Sequence, residues 1–381
     1  MYTNPITVNM SDMHDCLLDQ EGNPLAPSQQ YAAVVQRAMA EGPAVVIFNG
    51  DCMFDNKKDR PSKKAKFSSP VPQAVTDLGR PGAYILEAAV FIQGEESIVD
   101  GKPTISLDEL VNRKFGQPLQ QNTNYDRMVE YFKGVTERTA ERFNELAQLT
   151  SGSRMIYFGG HDNAYNVWLE HMFTEEIRSG NLETLSQVYS RIFSKFPHAT
   201  YVEQPTAFYF KGGIDVTHAW CDADIAEVII PLDVQKSAVD YLRAFIGKEA
   251  STENRQNAKI SRLKTVLAEA ASRARVISVN LHEAPTQELS ELVLSYNGEK
   301  GKLVEEPEVV DYVLKTLAQY QKEGKVERVI IKYGNDGLPI ALKQMFEKYG
   351  GRFEAHHLTE MDFGGDYSVT EHNTGRVIHP G

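Results

Sequence analysis

Cysteine is scarce in this chain: three residues in 381, at Cys16, Cys52 and Cys221. Their spacing gives neither a disulfide framework nor a paired C-x-x-C zinc site, so a reducing compartment is the simpler setting. Long apolar runs are also missing, and none approaches the roughly 18 residues of a membrane-crossing helix. No membrane insertion is therefore expected. Positive charge is in deficit, with 40 Lys+Arg against 52 Asp+Glu and a formal net charge of -12. A chain of that sign repels a phosphate backbone, so no nucleic-acid partner is expected. The start, MYTNPITVNMSDMHD, has no basic segment followed by an apolar one. That predicts no secretory signal peptide and a cytoplasmic location, with export by a signal-independent route left open. No G-x-G-x-x-G follows a strand-like run and no Walker loop occurs, which leaves dinucleotide and P-loop binding without support.

What is present is ordinary globular composition: 41% hydrophobic, 24% charged, 27 Gly and 17 Pro. Collagen, coiled coil and extensive disorder are excluded. Short apolar runs alternate with helical patterns, which predicts a layered α/β fold. Helices are expected over SQQYAAVVQRAMAEG, Tyr125–Leu149, Asn163–Ile177, Leu182–Phe196, Asn257–Arg273, Pro307–Lys322 and Leu338–Tyr349. In the second of these, Met128, Phe132, Val135, Thr139 and Leu146 share a face by spacings of three, four or seven. The stretch from about 56 to 122 breaks the alternation and opens with NKKDRPSKKAKFSSPVP, which predicts an inserted cap or loop. The Gly-rich tail GGDYSVTEHNTGRVIHPG predicts irregular structure, and its histidines are expected at the surface.

Five strand-like runs end in a polar residue. ITVNMSD reaches Asp12, AVVIFNGD reaches Asp51, MIYFGGHD reaches His161 and Asp162, GIDVTHAW carries His218, and VISVNLHE carries His282. Ligands in open α/β sheets collect outside the carboxyl ends of strands, so these five ends are expected to meet at one crevice. Carboxylate and imidazole are ligand types for zinc, manganese and iron(II). Two such ions about 3.5–4 Å apart can clamp the attacking and leaving oxygens of a phosphoryl displacement.

The order of these residues resembles the calcineurin-like metallophosphoesterases. The series runs Asp12-Met13-His14, Gly50-Asp51 with Asp55, Gly160-His161-Asp162, Val216-Thr217-His218 and Val279-Asn280-Leu281-His282. The resemblance covers roughly residues 5–290 and implies a layered β-sandwich flanked by helices. It divides the chain into a catalytic domain over 1–290 and a C-terminal α/β extension over 291–381 packed on it. It also implies two divalent transition-metal ions, manganese, iron or zinc. Asp12, His14, Asp51 and His282 would hold the first; Asp51, His218 and Asn280 the second. His161 would be the general acid, with Asp162 orienting its ring. The implied reaction is hydrolysis of a phosphomonoester or phosphodiester, on a small molecule or a phosphoprotein, by a water the metal activates.

Several positions depart from the pattern. The second motif reads GDCMFD with an extra residue and no following Arg, Gly160 stands where the family has an Asn, and Val279-Asn280 replace Gly-His. Asn49 or Asn163 would fill the Gly160 gap. The departures keep three alternatives open: a one-ion hydrolase on Asp12, His14, Asp51 and His282; a degenerate member serving as a binding or scaffold module; and a last ligand supplied by His356 or His357 instead. A Cys221–His218 nucleophile pair is a lesser rival, with no orienting group in view.

Overall fold

The computed structural model describes residues 4–11, 28–50, 98–99, 102–103, 125–159, 173–231, 252–282, 292–296, 299–303, 307–333, 347–358 and 367–378. In chain order these form β1 (Ile6–Met10), α1 (Ser28–Ala40), β2 (Val45–Asn49), β3 (Ile98–Val99), β4 (Lys102–Pro103), α2 (Tyr125–Leu149) and β5 (Arg154–Phe158). Next come α3 (Thr174–Arg178), α4 (Leu185–Phe193), β6 (Ala199–Tyr201), β7 (Thr206–Lys211), β8 (Ile214–Asp215) and β9 (Ala223–Ile229). The remainder is α5 (Thr252–Arg273), β10 (Ala274–Leu281), β11 (Leu292–Tyr296), β12 (Glu299–Leu303), α6 (Pro307–Lys322), β13 (Arg328–Tyr333), β14 (Phe353–His357), β15 (Ser368–Glu371) and β16 (Val377–Ile378).

Two six-stranded sheets carry the fold, in the orders β16-β15-β1-β2-β5-β6 and β14-β13-β10-β9-β7-β8. In the first, β1, β2, β5 and β6 run parallel, with β15 antiparallel on β1. In the second, β9, β10, β13 and β14 run parallel, with β7 antiparallel on β9. Parallel strands sandwiched between layers read as nearly continuous apolar runs, and β1 and β2 are buried at every residue.

Each sheet buries one face on helices and the other on its neighbour sheet. Leu263, Leu267 and Ala270 of α5 and Val309, Val313, Leu314 and Leu317 of α6 pack on Ile277, Val279, Leu281, Val329 and Ile331. Over the first sheet, Phe143 of α2 and Tyr189 of α4 pack on Tyr157 of β5, with ring centroids 4.6 and 5.0 Å away. The α4 helix begins with a capping box in which Thr184 and Gln187 satisfy each other's backbone N–H. Between the sheets, Val45, Ile47, Ile156 and Phe158 of the first meet Phe208, Phe210, Ile225, Ile229, Val276 and Ile330 of the second. The result is four layers, helix, sheet, sheet and helix, as the layered α/β reading expects.

Three sequence expectations change. The run GIDVTHAW is not a strand that delivers His218 to the others. Gly212 and Gly213, at φ +57° and +80°, turn the chain tightly, so β8 folds back antiparallel on β7. The parallel strand at that place is β9, in ADIAEVI. The tail is not irregular: it forms β15 and β16, because Val369 and Thr370 pair with Ile378 and Val377 across a turn at Asn373–Gly375. Finally, residues after 291 supply β13 and β14 to one sheet and β15 and β16 to the other, so the segment expected as an extension is woven into both. Apart from the two-residue strands β3 and β4, the expected insertion lies outside the described residues, as does most of the helix expected at Leu338–Tyr349.

Candidate functional site

The carboxyl ends of the parallel strands of both sheets share one rim. Asn49, last in β2, donates through Nδ2 to the Leu281 carbonyl at the end of β10, 3.2 Å away. The hydroxyl of Ser11, just after β1, donates to the Asn49 carbonyl at 3.1 Å. His282 Nδ1 lies 2.8 Å from the same oxygen. A carbonyl can only accept, so Nδ1 carries a proton. Three chain segments thus converge on one backbone oxygen. Asp12 directly follows Ser11, and Asp51 follows Asn49 and Gly50, where φ is +80°.

Beneath the rim, the facing sides of the sheets are polar where alternation puts a non-apolar residue inward. Asn9 donates through Nδ2 to Asn280 Oδ1 at 2.7 Å and to Asn49 Oδ1 at 3.3 Å. Lys332 Nζ donates to Asn9 Oδ1 at 2.7 Å and lies 3.6 Å from Glu227 Oε1. Asn280 Nδ2 donates to Glu227 Oε2 at 2.9 Å. Deeper still, Thr7 Oγ1 and His372 Nε2 share a hydrogen bond of 2.9 Å. Thr7, Asn9, Asn49, Glu227, Asn280, His282, Lys332 and His372 are all wholly buried.

Burial alone would raise the Glu227 carboxyl. The Lys332 ammonium and donors from Ser278, Asn280 and Thr7 outweigh it and hold the pKa below the usual carboxylate range. Burial also draws Lys332 down, with Glu227 opposing. The pair is ionised, because the carboxylate has amide and ammonium donors and the ammonium has an amide oxygen at 2.7 Å. Burial pushes His372 down to about 4, with the Lys332 charge adding to it and Glu227 and Asp224 opposing.

The structure separates the expected site residues. His282 stands at the rim. Asn280 is one step below it, with its oxygen accepting from Asn9 and its nitrogen donating to Glu227, so its amide serves the seam between the sheets rather than a cation. Asn49 is engaged in the same way and does not fill the Gly160 gap. His218 is exposed and precedes β9, whose first residue Ala223 pairs with Ala274 at the amino end of β10. His218 follows β8, the edge strand of its sheet and three places from β10, so at about 4.8 Å between neighbouring strands it stands about 14 Å across the sheet from His282. His218 is not brought together with His282 by the sheet.

Its loop has its own anchor. The Arg273 guanidinium donates to the carbonyls of Val216, Thr217, Ala219 and Cys221 and stacks 3.7 Å over the Tyr209 ring. Asp12, His14, Asp51, His161 and Asp162 lie outside the described residues. Among the described residues, no three His, Cys, Asp or Glu side chains form a metal-binding group, and no helix is long and apolar enough to cross a membrane.

Sequence reasoning missed Glu227, Lys332, Asn9 and His372. A signal was available for the first three: a charge or amide at an inward position of an otherwise apolar strand, as in ADIAEVI, RVIIKY and ITVNM. His372 had none, because its tail showed no strand pattern. The chain matches no protein-family profile, no curated protein and no solved structure.

Proposed function

We propose that this chain is a metal-dependent phosphoesterase whose centre lies at the shared carboxyl rim, with one divalent transition metal held by Asp12, His14, Asp51 and His282. The supporting observation is the junction at the Asn49 carbonyl. It ties the strand end before Asp12, the strand end before Asp51 and the imidazole of His282 to one point. The donor set suits the ion: His282 has Nδ1 fixed by a backbone acceptor, which is how ligating histidines are commonly oriented with Nε2 as donor to the metal. Two carboxylates and two imidazoles fit manganese, iron or zinc.

The one-ion form is supported by the place of His218 beyond the edge strand β8, three strands from β10, and by Asn280, whose amide is engaged with Asn9 and Glu227. When bound, the cation would polarise a phosphoryl oxygen and acidify water. The chain's own part is to orient the ligands and to deliver a proton. His161, with Asp162 beside it, is the proposed donor to the leaving oxygen, since a neighbouring carboxylate favours the charged imidazolium. The substrate class is a phosphomonoester or phosphodiester.

The test is metal analysis of protein reconstituted with manganese, joined to hydrolysis of an aryl phosphate. One ion per chain and measurable hydrolysis are expected. Asp51→Asn should lower both at least tenfold, since it removes a charged ligand. Protein that takes up no manganese, zinc or iron overturns the reading, and two ions per chain overturn its one-metal form.

A further inference from the structure

Three asparagines, Asn9, Asn49 and Asn280, occupy the seam beneath the rim, and each amide has a donor end and an acceptor end of nearly equal shape. A neutral network of such groups can run in either direction. This one is bounded by groups that cannot reverse. Lys332 only donates, and ionised Glu227 only accepts.

Each orientation follows from the one before. Lys332 Nζ takes Asn9 Oδ1 at 2.7 Å, so Asn9 Nδ2 must donate, and it reaches Asn280 Oδ1 and Asn49 Oδ1. Asn280 then presents Nδ2, which Glu227 Oε2 accepts at 2.9 Å. Asn49 likewise presents Nδ2, which binds the Leu281 carbonyl at 3.2 Å. Reversing the circuit would face the ammonium with amide N–H groups and the carboxylate with an amide oxygen, leaving two buried charges unpaired.

We propose that Lys332 and Glu227 are positioning residues: the buried pair sets the direction of the asparagine circuit and, through Asn49, locks the ends of β2 and β10 so that His282 is held in one tautomer at the rim. The link to phosphoester chemistry rests on the function proposed above; the positioning does not. Stability is a poor reason for such a pair, because apolar replacements of a buried ion pair are often neutral or stabilising. Its specific effect is direction, carried over three strands of one sheet and two of the other.

The deciding measurement is the tautomer of His282, read by long-range nitrogen–proton NMR on histidine-labelled full-length protein, which needs neither metal nor activity. The wild type should show a single Nδ1–H form. Glu227→Gln combined with Lys332→Met removes both charges at similar volume. The folded double variant should show mixed tautomers, and its manganese affinity should fall tenfold or more. A folded double variant that keeps the pure Nδ1–H form overturns the positioning. Should that variant not fold, Asn9→Asp keeps the Lys332 contact but cannot donate to Asn280 or Asn49. It should mix the tautomers in the same way, and an unchanged spectrum overturns the proposal. A wild type that binds no manganese, with the tautomer change still seen in the variants, refutes the phosphoesterase reading alone.

Discussion

Asn9 touches Lys332, Asn49 and Asn280 with one short amide, and so joins two strands of one sheet to two of the other. Its neighbour on the inward face of β1 is Thr7, which holds His372. Burial keeps that histidine uncharged and holds its pKa at about 4, below the ordinary imidazole value of 6.5. The unfolded chain therefore binds more protons between those values, and stability must fall as pH drops through that window. The groups facing the ring, Glu227, Lys332 and Asp224, modulate the shift without reversing it. Going from about pH 7 to about pH 4.5, His372 alone should remove about 2 kcal/mol. Urea denaturation at the two pH values should show His372→Gln losing less than the wild type by that amount. Glu227 acts in the same sense at lower pH: its depressed pKa contributes stability above the unfolded carboxylate value, lost as pH falls through the folded one.

At the scale of elements, the inward positions divide into two zones. Apolar side chains, among them Ile47, Phe158, Phe210 and Ile330, fill one part of the space between the sheets, and Asn9, Asn49, Glu227, Asn280 and Lys332 fill the other. The β15–β16 hairpin closes the polar side, and it depends on one turn. Gly375 has φ +63°, and a Cβ there would stand 2.8 Å from Val276 Cγ1 and 3.1 Å from both Arg328 Cδ and Ile330 Cδ1. Gly375→Ala combines a disfavoured backbone angle with a clash against the other sheet. It should cost about 1–3 kcal/mol, measurable as a lowered urea midpoint. The long helices needed no such help to be read, because 3.6-residue periodicity is local: Thr139 and Leu146 of α2 are buried as their spacing predicts. Strand identity was harder at GIDVTHAW and ADIAEVI. Both are β-like runs, and only the tight glycine turn decides which one enters the parallel array.

Across the whole molecule, strand order decides which side chains meet. Both sets of parallel strands end on the same side, which brings Ser11, Asn49 and His282 together from positions far apart in the chain. His218 lies beyond the edge strand β8, in the loop held by Arg273. His218→Ala should therefore leave manganese content and aryl phosphate hydrolysis within twofold of wild type, whereas His282→Ala should lower both at least tenfold. Equal losses in the two variants would contradict this assignment. The order of motifs along the chain could not settle the matter, because a histidine after a β-like run looks the same whether that run lies at the centre of a sheet or at its edge.

The sequence by itself determined the α/β alternation and the long helices at Tyr125–Leu149 and Pro307–Lys322, because these follow from local periodicity and turn chemistry. It also singled out His282, since a polar residue closing a long apolar strand stands out in one dimension. Only the tertiary structure decided that Asn280 faces Asn9 and Glu227, that His218 lies beyond an edge strand, and that His372 is buried. Those facts depend on strand order, strand direction and the pairing of one sheet with another, which are set by contacts between residues up to several hundred positions apart.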